Sequence, residues 1–367
     1  MNKTKCLPAP GLGRLCFSLL GGGCIFLLLF CADSAVTAVQ SGLQLCYRTV
    51  IPALFPFMVA SELLVGCGGA AAIGQWFSKP VKRLLGIPGA AACPILLGAM
   101  CGFPTGARAA AALYDKGELN AAQCTRLLTF INTPSSAYLI SAVGVSLLGS
   151  RRLGVIIWVI SLLCSLITAL VTRILMPCPT LESAQTSQPV RLGADVFTNA
   201  VTSAAQSMLA VCAYVLFFSA VLGAFQSVCA RFALPAAASA ILYGIVEMSG
   251  GIAKAAAIQN QTQAAMLCAA LSCWSGVSVL CQIITVCRGR GFRFLPYVLA
   301  KLAQALCAAA LTGLAMRYLL PLLPSEQLPA SVILPVSTVS VWIQITNIGF
   351  IACCAAGLIK SSKKRAV

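Results

Sequence analysis

The sequence predicts an all-α, polytopic transmembrane protein, because apolar residues dominate it, charges are scarce and its apolar runs are long. Of its 367 residues, 59% are hydrophobic and 9% are charged, whereas a soluble domain carries about 25% charged residues. So few charges cannot cover a water-exposed surface, and most of the surface must therefore face lipid. The runs are rich in Leu, Ala and Val and do not alternate strictly with polar residues, which favours helices over a β-barrel.

The charge balance is strongly basic, with 25 Lys and Arg, 8 Asp and Glu, and a net charge of +17. We interpret it as a signal of orientation, because Lys and Arg hold loops on the cytoplasmic side of a membrane. The alternative, a nucleic-acid surface, is disfavoured because the basic residues are scattered over many loops. Two short clusters, at 288–293 and 360–365, are expected to anchor the chain at anionic lipid.

The chain is not expected to be an enzyme or to hold a metal or a cofactor. It has 20 cysteines but no histidine, which excludes His-containing zinc sites and Ser-His-Asp or Cys-His catalysis. No C-x-x-C motif occurs, and most cysteines lie within apolar runs, where they are expected to pack as small hydrophobes.

About eight spans and two re-entrant hairpins are expected. The predicted spans are residues 15–35, 52–66, 89–113, 153–175, 199–225, 234–258, 295–320 and 332–358. The predicted hairpins are 127–148 and 264–286, each apolar but broken by polar residues. A cleaved signal peptide ending near Val36-Thr37-Ala38 is the alternative to a retained first span.

The two halves of the chain repeat each other. Residues 95–98 and 107–111 align with 241–244 and 253–257 at an offset of 146, and a block at 35–46 echoes 200–212. A Pro-rich polar linker separates the copies. The predicted organisation is an N-terminal transmembrane helix at 1–38, a first repeat at 39–175, the linker at 176–194, a second repeat at 195–320, and a C-terminal transmembrane helix with a basic tail at 321–367.

The repeats are predicted to have opposite orientations in the membrane. With both termini in the cytoplasm, the linker and the loop at 288–293 also lie inside, in agreement with the positive-inside rule. Arg151 and Arg152 fall outside and violate it. Each repeat then crosses the membrane three times, so the two copies are inverted, as in many secondary transporters with broken helices.

Four breaks in the apolar runs carry the candidate ligand-binding residues. They are Gly102, Phe103, Pro104, Thr105 and Gly106; Asn132, Thr133 and Ser135; Glu247, Ser249 and Gly250; and Trp274, Ser275, Ser278 and Gln282. Gly and Pro free backbone groups from the helical ladder, and lipid tolerates this only where protein or a wet cavity covers them. The structural alternatives are a packing kink at 102–106 and a turn capped by its own side chains at 132–136.

These breaks suit a polar, heterocyclic solute, with Asn132, Ser135 and Gln282 among the hydrogen-bonding groups and Phe103 or Trp274 as a stacking surface. Glu247 lies deep in an apolar span, where a carboxylate is costly and indicates function. It could bind a coupling cation, relay a proton or accept a hydrogen bond from a hydroxyl.

Structural alternatives remain for the charged residues. Glu247 could instead pair with Lys254 or Lys301. Lys301 and Glu62 could each extend toward the membrane surface from within a span.

The sequence resembles the YlbJ-type sporulation integral membrane proteins, of the nucleoside-recognition or Gate-domain group. The motifs that carry the resemblance are at 52–64, 102–107, 127–135, 247–251 and 275–282, and the similarity spans about 42–320. It implies two Gate-like repeats in a multi-pass bacterial cell-membrane protein of spore formation. Kinship with nucleoside transporters implies a small nucleoside-like solute; the alternative is a non-transporting structural or assembly factor of the spore membrane. Oligomeric state cannot be predicted.

Overall fold

The computed structural model describes residues 11–178, 194–229 and 234–322, and this part of the chain is built of helices and short connections without strands. The α-helices are α1 Gly11–Phe30, α2 Ala32–Leu45, α3 Ile51–Gly66, α4 Gly69–Leu85, α5 Ala92–Cys101, α6 Thr105–Asp115, α7 Ala121–Ile131, α8 Arg151–Leu175, α9 Ala194–Cys229, α10 Ala236–Val246, α11 Met248–Ala256, α12 Gln261–Trp274, α13 Gly276–Cys287 and α14 Leu295–Leu314. Short π-helical segments lie at Cys46–Val50, Tyr138–Leu147 and Ala315–Leu319. The all-α class is therefore confirmed.

The helices have the length and surface of an integral membrane protein. Four helical segments are long and apolar enough to cross a bilayer, and six if each of two sharply bent pairs counts as one span. Large apolar side chains cover the outward faces of several helices; Leu19, Ile174 and Leu306 are examples. Lipid is the solvent that favours such a surface. The span count is lower than predicted, and the predicted span 332–358 lies outside the described residues.

Within the described residues, two of the predicted interrupted spans fold as helical hairpins, each two helices earlier in the chain than the hairpin that was predicted for its half. Helices α5 and α6 pack side by side, and a Cβ added to Gly106 would lie 2.9 Å from the Cα of Gly98. In the second half α10 and α11 pack in the same way, with Gly251 against Gly244. The interruptions at 102–104 and 247 are therefore hairpin tips, and 89–113 and 234–258 are not single spans. Paired glycines explain the difference, because they let two antiparallel helices approach closely.

The segments predicted as hairpins are broken helices instead. Gln261–Cys287, which contains α12 and α13, is one of the four segments that could cross a bilayer. Its break is the single residue Ser275, with φ of 73°. In the first half, α7 is followed by a short irregular segment and the π-helical Tyr138–Leu147. Neither break has a glycine pair that brings the segments before and after it together, unlike the two hairpin tips.

The two hairpins open toward opposite ends of the bundle. Asp115, at the open end of the first hairpin, pairs with Arg290 in the loop that precedes α14. The other end of α14 runs into a cluster of Met316 with Leu153 and Ala265, which lie near the starts of α8 and α12. Helix α12 begins directly after the open end of the second hairpin. This arrangement agrees with the predicted inversion of the two halves, and both the inversion and the domain boundaries stay predictions.

Antiparallel packing of α2 and α3 against α9 shows the same symmetry. The hydroxyls of Ser34 and Ser227 are 2.6 Å apart, and Gly42 lies against Ser219. Further along, the side chains of Cys46 and Cys212 lie side by side. Cys46 and Cys212 are the last residues of the two matched sequence blocks, 35–46 and 200–212. Equivalent residues of the two halves therefore meet at this point. A contact between equivalent residues is expected at a two-fold axis.

Candidate functional site

The first hairpin tip packs against the break that follows α7. Gly102 has φ of 78°, and a Cβ there would lie 2.7 Å from the backbone nitrogen of Ser135. The Thr133 hydroxyl donates to the carbonyl of Gly98 at 3.2 Å. The Phe103–Pro104 peptide bond in this tip is cis. Local glycines therefore let a hairpin tip and an unwound segment make direct backbone contact.

Side chains from neighbouring helices satisfy the carbonyls freed at the end of α7. Gln304 donates to the carbonyl of Thr129 at 2.9 Å, and Ser165 donates to that of Phe130. The Lys301 ammonium donates to the carbonyl of Asn132. The last carbonyls of a helix have no partner within it, so these donors replace the missing bonds.

The second hairpin tip is organised by Glu247. Its carboxylate accepts hydrogen bonds from the backbone N–H groups of Ser249 at 2.9 Å and Gly250 at 2.7 Å. A carboxylate at the start of α11 satisfies two unpartnered donors and faces the positive end of the helix dipole. Neither Lys254 nor Lys301 pairs with Glu247: the first lies 4.1 Å above the Tyr243 ring and the second contacts Asn132.

The break between α12 and α13 packs on this second tip. A Cβ on Gly276 would lie 3.0 Å from the backbone nitrogen of Met248. The Trp274 indole donates to the carbonyl of Ile245 at 3.1 Å. Each hairpin tip therefore meets the broken helix that follows it in the chain, as expected of two equivalent halves.

The two tips are also joined across the halves. Phe103 packs against the hydrophobic cluster that includes Met248 and Cys273. The Tyr138 side chain, at the start of the first half's π-helical segment, lies beside the Ser249 side chain. Residues of all four predicted breaks thus lie in one contiguous region.

Several candidate side chains retain hydrogen-bonding capacity. The Thr105 hydroxyl and the Asn132 side-chain oxygen are buried without a partner in the described part of the chain. Ser278 and Gln282 are buried on α13. The remaining candidates shape the backbone: Gly106 lies under Ile131, and Ser275 carries the positive φ of the second break. A ligand-binding role for the fifteen residues stays a prediction.

Two charged groups for which an interfacial position was an alternative have partners within the bundle instead. Glu62 pairs with Arg108 at 2.6 Å, and Arg108 also contacts the carbonyl and hydroxyl of Ser203. Lys301 is 2% exposed and does not extend to the surface. Arg108 lies within one of the matched sequence blocks, and Gln304 is one helical turn from Lys301. The position of Arg108 in a repeated block and the spacing of Gln304 from Lys301 are the two sequence signals that indicate these internal charges.

One end of the bundle is rich in basic residues. Arg290 pairs with Asp115 at 2.6 Å, and the Asp115 carboxylate raises the pKa of the Arg290 guanidinium by stabilising its charged form. At the same end, Arg173 donates to the carbonyls of Arg83 at 2.6 Å and Leu84 at 2.8 Å. This clustering is the distribution that the positive-inside rule associates with the cytoplasmic side.

Comparison with known proteins supports the resemblance seen in the motifs. Residues 47–157 match the family model described as "Gate: Nucleoside recognition". The chain is 25% identical over 312 residues to the "Sporulation integral membrane protein YlbJ" of Bacillus subtilis (strain 168), with 76% of each chain covered. No solved structure matches the chain. The Gate match contains the first hairpin and the α7 break, so it covers the first-half part of the candidate site.

Proposed function

We propose that this integral membrane protein with a Gate segment acts in spore formation and binds or translocates a small polar, nucleoside-like solute where its hairpin tips meet. In this proposal it resides in the cell membrane with both termini in the cytoplasm, and it is not an enzyme. The spore-formation context rests on the similarity to YlbJ, and the solute class on the nucleoside-recognition segment.

The observation that carries the proposal is the meeting of two oppositely oriented hairpin tips beside two broken helices. Phe103 of one tip packs into the cluster that contains Met248 of the other. A site built at the contact of two inverted units opens alternately to each side when one unit rocks against the other. A packing kink in a single helix offers no such contact.

The chemistry of the region matches a heterocyclic solute with hydroxyl groups. Phe103 and Trp274 are half-buried rings that offer a stacking surface. The unpartnered oxygens of Thr105 and Asn132 can accept hydrogen bonds from solute N–H or O–H groups. Glu247 has lone pairs beyond the two used by backbone N–H groups, which suits a ribose hydroxyl or a coupling cation.

The alternative, a structural or assembly factor that does not transport, is favoured by a different observation. Most backbone carbonyls freed at the end of α7 already have donors from Gln304, Ser165 and Lys301. A break that is satisfied internally can persist without any ligand. The two proposals therefore differ in whether the region binds a solute at all.

Solute binding and flux discriminate between them. The purified chain in nanodiscs should bind a nucleoside such as uridine by calorimetry, and proteoliposomes should accumulate the labelled compound. Glu247→Gln and Asn132→Ala are each expected to weaken binding at least about 10-fold, because each removes a hydrogen bond worth about 1.4 kcal/mol or more in a buried site.

Glu118→Gln is the matched control, since Glu118 lies in the loop after the first hairpin, and it should leave binding unchanged. Absence of binding for nucleosides, free bases and ribose alike would reject the solute site and leave the structural factor. Binding without flux would retain the site but reject translocation.

The spore-formation context has a separate test. Deletion of the gene in its native host is expected to reduce the number of heat-resistant spores, with recovery when the wild-type gene is returned. An unchanged spore count would contradict this part of the proposal without affecting the solute site.

A further inference from the structure

The carbonyl end of α7 is an electrostatic feature that a cation can stabilise. Helix α7 is interrupted at Asn132, deep among buried residues, so the negative end of its dipole lies inside the protein. Gln304 and Ser165 supply neutral donors there. Lys301 is the group that also supplies a charge.

Lys301 is buried at this position without a carboxylate. Its ammonium contacts two oxygens, the carbonyl of Asn132 and the side-chain oxygen of Gln304, the latter at 3.2 Å. The ion pairs in residues 11–178, 194–229 and 234–322 are Glu62–Arg108 and Asp115–Arg290, both elsewhere. The nearby thiols of Cys164 and Cys273 are uncharged in their ordinary form at neutral pH. The positive charge is therefore stabilised by amide oxygens and by the end of a helix.

Oxygens arranged in this way form the kind of environment that binds monovalent cations. Backbone and amide carbonyls replace the hydration shell of such ions in protein sites. Asn132 also has a buried side-chain oxygen that accepts no hydrogen bond in the described residues, from Lys301 or from any other donor. An ammonium and a small alkali ion are alternative occupants of such a site.

We propose that the end of α7 is a monovalent-cation site whose occupant is the tethered ammonium of Lys301. The protein therefore carries its own ion at this break and needs no dissolved cation there. The inference does not depend on the proposed function, because it concerns the stability of the protein in the absence of any solute.

Shortening the lysine is expected to expose the site to ions from solution. Lys301→Ala removes the ammonium and most of its stem, which leaves a small cavity beside the Asn132 and Gln304 oxygens. The variant should unfold at a lower temperature in choline chloride than the wild type. Sodium or potassium chloride, or propylammonium as the missing fragment, should raise its midpoint by about 4 °C or more, since a ligand that binds the folded state stabilises it by mass action.

Two comparisons make the result specific. Relative to choline chloride, sodium or potassium chloride should shift the wild-type midpoint less than that of Lys301→Ala, because Lys301 already fills the site and a cation bound elsewhere, such as at Glu247, acts on both proteins alike. Lys254→Ala is the matched control: Lys254 is also a lysine near a hairpin, but it lies over the Tyr243 ring, and its loss should create no ion dependence.

Lys301→Met keeps a long side chain without the charge and serves also if the alanine variant does not fold. It should be less stable than the wild type in every salt, because its methyl end can neither satisfy the carbonyls nor leave room for an ion. A methionine variant as stable as the wild type would overturn the proposal. So would a folded alanine variant whose midpoint responds to sodium, potassium and propylammonium no more than that of the wild type does.

Discussion

At the scale of single residues, the charges inside the bundle are placed where a partner can stabilise them. Arg108 is 6% exposed and Glu62 is 21% exposed, and the pair links α3 to α6 while Ser203 adds a contact from α9. An unpaired charge in such a place costs several kcal/mol, whereas a paired one can be close to neutral overall. The pair therefore fixes which helices surround the first hairpin more than it adds to stability.

Breaking this pair should cost far more than removing it. We expect Glu62→Leu or Arg108→Met alone to lower the stability of the folded protein by about 3 kcal/mol, since each leaves one buried charge without its partner. The double variant should recover more than half of that loss. Unfolding midpoints in detergent measure the effect.

The exposed pair Asp115–Arg290 provides the comparison. Asp115 is 51% exposed in that pair, so Asp115→Asn should cost less than about 1 kcal/mol. If the stability losses of Glu62→Leu and Arg108→Met simply added up in the double variant, this would contradict the coupling assigned to Glu62 and Arg108.

At the scale of elements, glycine pairs decide which interruptions become hairpin tips. Gly98 and Gly106 flank the first tip, and Gly244 and Gly251 flank the second. The sequence showed that four helices were interrupted, but Gly/Pro and Asn/Ser breaks both free backbone groups and so look equivalent. The contact between two glycines across a tip is the feature that separates a hairpin from a broken span.

Enlarging one of these glycines should separate the two arms of a hairpin. A Cβ on Gly251 would lie 2.2 Å from the Cα of Gly244, which is backbone and cannot rotate away. Gly251→Ala is therefore expected to destabilise the protein by about 3 kcal/mol, the upper range for overpacking. Folded yield on size-exclusion chromatography and the unfolding midpoint would measure this.

Gly22→Ala serves as the control, because no atom lies within 4 Å of the added Cβ. Alanine is also the better helix former, so this variant should be neutral or up to about 1 kcal/mol more stable. Equal effects of the two substitutions would show that the arms of the second hairpin are not in contact.

At the scale of the whole molecule, the duplicated sequence predicts the inversion, whereas the centre of the candidate site required three-dimensional packing. Matched blocks such as 95–98 and 241–244 report ancestry and order along the chain. They do not report that Lys301 of the second half caps the end of α7 in the first. Contacts between copies have no signature in either copy alone, so the sequence offered Glu247 as a partner for Lys301, whereas the structure gives the carbonyl of Asn132.

Opposite hairpin openings predict opposite protease accessibility in oriented membranes. A protease site inserted after Gly117, where the chain is exposed and open, should be cleaved only from the cytoplasmic side, because basic residues surround that end. A site inserted after Gln259, at the open end of the second hairpin, should be cleaved only from the opposite side. Inverted vesicles and spheroplasts give access to the two sides separately.

A third insertion, after Gly289, checks the contact on which this orientation depends. The loop there pairs with Asp115 through Arg290. A protease site in this loop should therefore be cleaved from the same side of the membrane as the site at Gly117. Protease sites avoid the background that 20 native cysteines would cause in a labelling experiment. Cleavage of the Gly117 and Gln259 sites from the same side would contradict the inversion, because two hairpins that enter from one face cannot belong to oppositely oriented copies of one unit.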